Sequence, residues 1–127
     1  MSVDTASESG VTAEEAVVAK AVVRAAERLG LKNRELARIL GLSEASISRL
    51  RRGRHHLHRH EKSFELAVLL IRLYRSLDAV AGGDLAVMRH WLRAPNTALG
   101  GIPLERLFTV TGLVDVIAYL DSRRAVL

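Results

Sequence analysis

The sequence contains no cysteine. That removes disulfides, a thiolate zinc finger and a cysteine nucleophile together, and it suits a reducing compartment. Aromatic residues are scarce, one Trp, two Tyr and two Phe, so a core must be aliphatic, built from Leu, Val, Ala and Ile. Only two prolines occur in 127 residues, 49% of which are hydrophobic. Few prolines, few strand-like runs and apolar residues at helical spacing predict an all-α protein. Long apolar runs are missing too. The stretch Leu66 to Ile71 is the most apolar unbroken one, far short of the roughly 20 residues a bilayer-spanning helix needs. The opening MSVDTASESG is polar and acidic, without the apolar core of a secretion signal. The expectation is a cytoplasmic protein with no membrane association.

What the chain has is focused positive charge. The net charge is +5. Residues 1–62 carry 12 Lys and Arg against 8 Asp and Glu, net +4, and residues 63–127 carry 7 against 6, net +1. Within 49–62 there are six Lys or Arg, four His and one Glu. Such focusing suits a phosphate backbone better than a merely solubilising patch would.

The same region holds the most informative stretch, NRELARILGLSEASISRLRRG at 33–53. It reads as two short helices joined by a tight turn. Leu36, Ala37 and Leu40 form one apolar face; Gly41 ends that helix, because glycine enters the left-handed region cheaply. Leu42 fills the turn, Ser43 caps the next helix, and Ile47 and Leu50 face inward. Ser48, Arg49 and Arg52 lie on the outer face, and Gly53 stops the helix. This pattern resembles the helix-turn-helix of Xre and lambda-repressor-like DNA-binding proteins. The implied DNA-contacting set is Asn33, Ser43, Glu44, Ala45, Ser48, Arg49, Arg51, Arg52 and Arg54.

The remaining chain divides as follows. Residues 1–11 read as a disordered N-terminus, 12–60 as the helix-turn-helix domain, and 61–127 as a second helical domain. Thr12 and Glu15 form a capping box for a first helix, with Val18, Val22, Ala25 and Leu29 as its stripe and Gly30 as its end. Asn33 is placed as the cap of the second helix, and 44–52 as the recognition helix. The linker 53–61 carries His55, His56, His58 and His60 at adjacent and alternate spacing, with no carboxylate or thiol pattern. These read as titratable donors near phosphates, and no metal or cofactor is expected. A long helix over 63–81 is apolar around most of its circumference, with polarity confined to Glu65, Arg72 and Ser76. It must be a central core helix or a subunit interface. After Gly82-Gly83, Asp84 caps a helix to Arg93 with Met88, Trp91 and Leu92 inward. Pro95-Asn96 makes a turn and Gly100-Gly101 a bend. Pro103 opens a short helix, and Thr111 is the expected cap of a last helix over 112–122 that leaves a tail, SRRAVL.

In this half, Trp91-Leu92, Pro95-Asn96, ALGGIPLERL at 98–107 and TGLVDVIAYL at 111–120 resemble the toxin-binding domain of Xre/MbcA/ParS antitoxins. With the helix-turn-helix ahead of it, the resemblance covers about residues 15–125. It implies an antitoxin that represses its own operon and neutralises a RES-domain, NAD-depleting toxin, acting as a homodimer and in a larger complex with the toxin. The implied toxin-binding residues are Trp91, Pro95, Asn96, Leu99, Gly100, Gly101, Arg123 and Arg124, the two arginines entering the toxin cleft from a mobile tail. The chain departs from the helix-turn-helix pattern at Asn33, where Gln is common. Ala45 offers only a methyl group, and Glu44 repels phosphate unless it accepts from a cytosine amino group.

Two other classes are weighed. A transcription regulator whose second domain only dimerises or senses a ligand would lack a protein partner encoded beside it. An enzyme would need a nucleophile with its base or paired acids in a cleft. Beyond the histidine run and scattered carboxylates such as Asp115 and Asp121, no such motif is present, and the chain is read as non-enzymatic.

Overall fold

A computed structural model describes residues 10–125. The expectation of disorder over 1–11 falls mostly outside the described residues. The protein is all-helical: α1 (Ala13–Leu29), α2 (Asn33–Leu40), α3 (Glu44–Arg51), α4 (Lys62–Ala81), α5 (Leu85–Arg93), a 3₁₀ turn (Thr97–Leu99), α6 (Pro103–Arg106) and α7 (Val110–Ala125).

Local chemistry sets most helix ends. Thr12 Oγ1 accepts from the Glu15 amide at 3.1 Å, and Glu15 Oε1 accepts from the Thr12 amide at 2.9 Å, a complete capping box. Ser43 Oγ accepts from the Ser46 amide, and Asp84 Oδ1 from those of Ala86 and Val87. Gly30 and Gly41 end α1 and α2 with φ of 70° and 69°, where a side chain would be strained.

Two caps differ from the expectation. Asn33 is the first residue inside α2, not its cap. Lys32 holds the cap position, and its amide donates to Glu35 Oε1 at 2.8 Å, which leaves the Asn33 side chain for a tertiary contact. Thr109, not Thr111, caps α7, its Oγ1 accepting from the Gly112 amide at 3.0 Å. The last helix therefore starts earlier than expected, and it runs through Ala125.

Helix α4 is the central element, packed against α1, α2, α5 and α7. One continuous core joins both halves, from Val22, Leu29, Leu36 and Ile47 through Leu70, Leu73 and Leu77 to Met88, Leu92, Leu113 and Leu120. Four covering helices explain why α4 is so apolar. Its exposed line is Glu65, Val68, Arg72, Arg75 and Ala79. Ser76, expected on that polar stripe, is buried instead, its hydroxyl donating to Asp121 Oδ1 of α7 at 2.6 Å.

Polar contacts also fasten α5 to the N-terminal helices. Arg89 donates to the carbonyls of Arg28 and Glu27 at 3.0 and 2.9 Å, at the end of α1 where carbonyls lack intrahelical partners or share one with the Gly30 amide. Arg93 donates to the Gly30 carbonyl and to both oxygens of Glu35. Arg38 of α2 lies over the Phe108 ring, 4.0 Å from its centroid.

Candidate functional site

Helix α3 is held from below by Ile47 and Leu50, both buried, and this fixes which of its residues face outward. Ser43, Glu44, Ala45, Arg49, Arg52 and Arg54 are exposed, and Ser48 is half-buried. The arginines are ordered by short local bonds. Arg49 donates to Ser46 Oγ at 3.1 Å and Arg52 to Ser48 Oγ at 3.2 Å. The Arg54 amide closes the turn onto the Arg49 carbonyl at 2.8 Å. The face therefore presents an apolar methyl, hydroxyls and one carboxylate at its start and three guanidinium groups towards its end.

Arg51 and Asn33 stand apart from this exposed set. Arg51 Nε donates to Asn33 Oδ1 at 2.7 Å, and its Nη2 to the Leu31 carbonyl at 3.0 Å. The two residues lock α3 against the start of α2. Sequence spacing missed Arg34, which is exposed next to Asn33 at the N-terminal end of α2. It adds a further exposed cation at the start of the helix-turn-helix, and its only sequence signal was its position.

The linker is attached to α1 by a contact no motif announced. The Arg59 amide donates to Glu15 Oε2 at 2.7 Å. The Thr12 amide first and the Arg59 amide second hold the Glu15 carboxyl below its ordinary value, against an opposing effect of burial. His55 is half-buried, and burial first, then the charge of Arg49, lowers its pKa from 6.5. It therefore adds less positive charge near neutral pH than the sequence reading of the linker assigned. Among the described residues no three His, Asp or Glu side chains converge to hold a metal ion.

The second candidate surface lies on α5 and the loop after it. Trp91 is half-buried and stacks on Tyr119 of α7, with centroids 6.3 Å apart and planes at 19°. Its free edge helps line an open apolar groove of about 500 Å³ with Ala86, Val87, His90, Ala94 and Pro95. Asn96 borders the same groove. Its amide donates to the Gly101 carbonyl at 2.9 Å, and the Gly101 amide donates back at 3.1 Å. Gly100, exposed at φ 74°, turns the chain within that closed loop. Val87 is 48% exposed beside Trp91, an apolar contribution the sequence reading left out.

Three of the expected toxin-facing residues have a different local setting from the one expected. Leu99 is buried, anchoring the loop to the core. Arg123 and Arg124 are not on a mobile tail: both lie in the last turns of α7. Arg124 donates to Ser76 Oγ at 3.2 Å, and the Arg123 guanidinium sits 5.9 Å from the centre of the Tyr119 ring. Ser76 of α4 and Asp121 of α7 give Arg124 its partners, and the Tyr119 ring gives Arg123 one.

Residues 10–72 match the antitoxin Xre-like helix-turn-helix domain, and residues 76–125 match the antitoxin Xre/MbcA/ParS C-terminal toxin-binding domain. The two matches meet inside α4, the helix that both halves share. No individually curated protein matches the chain. The exposed basic recognition helix lies in the first match and the Trp91 groove in the second. The chain belongs to the Xre/MbcA/ParS-type antitoxins.

Proposed function

We propose that this antitoxin neutralises a RES-domain, NAD-depleting toxin and represses its own operon, acting as a homodimer that joins a larger complex with the toxin. The observation that carries this reading is the arrangement of two different surfaces on one core. One is basic and helical, suited to phosphates and base edges. The other is apolar, with a stacked tryptophan at its edge, suited to a protein partner.

On the DNA side, Arg49, Arg52 and Arg54, with Arg34, contact phosphates or guanine. Ser43, Glu44, Ala45 and Ser48 face base edges from the start of α3. Asn33 and Arg51 hold that helix at its angle. On the toxin side, Val87, Trp91, Pro95, Asn96 and the Gly100-Gly101 bend form the contact, with Leu99 as its support. Arg123 and Arg124 add cations from the end of α7, facing a cleft that binds the diphosphate of NAD or the carboxylates around it.

The test is co-expression with the RES-domain protein encoded beside this chain, if one is present, followed by co-purification and NAD measurement. The expected outcome is a stable complex and restored NAD. A neighbouring RES-domain protein that neither co-purifies nor is restrained would refute the partner assignment.

A further inference from the structure

We propose that the groove between α1 and the 53–61 linker is a binding site for a small amphipathic anion, a carboxylate carrying an aliphatic body. The groove measures about 420 Å³, within the range of small-molecule sites. Val11, Ala19 and Val23 supply its wall from the α1 side, Leu50 its contact with α3, and Leu57 its contact with the linker.

The groove is preformed. Leu50 and Leu57 are 3% and 1% exposed, packed into the core that forms its base. The Arg59-to-Glu15 bond at 2.7 Å holds the linker against α1, and the Arg54-to-Arg49 bond at 2.8 Å fixes the end of α3.

Charge selects the occupant. Lys20 and Arg24 stand four residues apart at the rim, a like-charge spacing that weakens an isolated helix. Among the described residues neither forms an ion pair. Of the groove's two carboxylates, Glu15 accepts from the Thr12 and Arg59 amides. The third cation at the rim, Arg51, donates to Asn33 and Leu31. Bonds to neutral amides and carbonyls leave those charges in place, so the lining carries three cations, Lys20, Arg24 and Arg51, against two carboxylates, Glu15 and Glu27, with His55 and His56 beside them. A hydrated inorganic anion would leave the apolar wall in water, and a neutral apolar molecule would leave Lys20 and Arg24 unmatched. An aliphatic carboxylate satisfies both. The groove beside Trp91 has no Lys or Arg among its lining, so it does not make the same selection.

The experiment is a two-dimensional amide NMR titration of the full chain with decanoate and, separately, with decan-1-ol. Decanoate is expected to shift the Ala19, Val23 and Leu57 amides saturably and to bind at least about tenfold more tightly than the alcohol. Reversing the rim with Lys20→Glu and Arg24→Glu, two exposed positions, should weaken decanoate by a similar factor while the circular dichroism spectrum stays helical. Val23→Trp should fill the groove and abolish binding. The inference is overturned if the two probes bind equally, if the charge-reversed chain keeps its affinity, or if the shifts centre on Val87 and Trp91. Binding that appears only after residues 1–9 are deleted would also overturn it, since the groove would then be the seat of the chain's own first residues.

Discussion

Arg93 of α5 forks onto Glu35 of α2, with Nη1 donating to Oε2 at 3.1 Å and Nη2 to Oε1 at 3.2 Å, across 58 residues of sequence. The same Nη2 also donates to the Gly30 carbonyl at 2.7 Å. One guanidinium thus joins the C-terminal half of the chain to both the end of α1 and the start of the helix-turn-helix.

Removing this fork should loosen the two halves. The Glu35 side chain is 13% exposed and that of Arg93 is 38%, so the pair lies between a surface and a buried ion pair. Glu35→Gln should cost about 1–2 kcal/mol at neutral pH, between the surface and buried limits. Burial works against ionisation of Glu35, but the Arg93 fork and the Lys32 amide outweigh it, leaving the native pKa below the ordinary 4.5. The unfolded chain therefore takes up the proton first as pH falls. This group's contribution is full above about pH 4.5 and is lost as pH drops through the lowered native value. Urea titrations of both proteins at pH 7 and in acid should find the gap closing; a gap that stays constant would contradict the assignment.

Gly112 sits where no side chain fits. A Cβ there would lie 1.9 Å from the Arg106 carbonyl oxygen and 2.9 Å from Thr109 Oγ1. Backbone cannot step aside as a flexible side chain can, so α7 must shift relative to α6. Gly112→Ala should destabilise by about 3 kcal/mol, the upper part of the overpacking range, although alanine favours helices. A thermal melt within a degree of wild type would disprove the steric argument.

The recognition helix separates into two classes of arginine. Arg49→Ala and Arg52→Ala should weaken operator binding by about 1–3 kcal/mol each if bidentate to guanine, with an unchanged melting temperature, since both side chains are exposed. Arg51→Ala removes the bonds to Asn33 and Leu31 and should lower stability by about 1 kcal/mol as well as affinity. Parallel gel shifts and melts distinguish the classes. Equal loss of stability in all three variants would count against the division.

Binding to DNA through Arg34, Arg49, Arg52 and Arg54 should also fall steeply with salt, because each neutralised phosphate releases counterion. A fluorescence anisotropy series in increasing potassium chloride should give a log–log slope that becomes shallower by about 1 when Arg34 is replaced by Ala. An unchanged slope would remove Arg34 from the interface.

For the toxin surface, Val87→Asp is the cleanest probe, since Val87 is 48% exposed and its substitution leaves the Trp91–Tyr119 stack in place. It should preserve the fold and the gel shift while reducing co-purification and neutralisation at least about tenfold, the scale of losing a central apolar contact. Full protection of toxin-expressing cells by this variant would move the interface elsewhere.

Periodicity, glycines and capping residues were enough to place the helices, though not the exact starts of α2 and α7, and the basic outer face of α3, because those features depend on neighbours within one or two turns. The Thr12–Glu15 box, the Ser43 and Asp84 caps and the Gly30 and Gly41 stops are all local chemistry of this kind. The two-part family pattern was legible for the same reason, since its motifs are short and ordered along the chain. Tertiary structure decided what long-range partners control. It took Asn33 from the cap and gave it to Arg51, buried Ser76 beneath Asp121, and turned Arg124 from a tail residue into a helical one. It drew Arg89 and Arg93 onto the end of α1 and made Gly112 a steric necessity. A polar side chain goes to whichever donor or acceptor the packed helices bring within about 3 Å, and that distance is fixed by the core, not by sequence spacing.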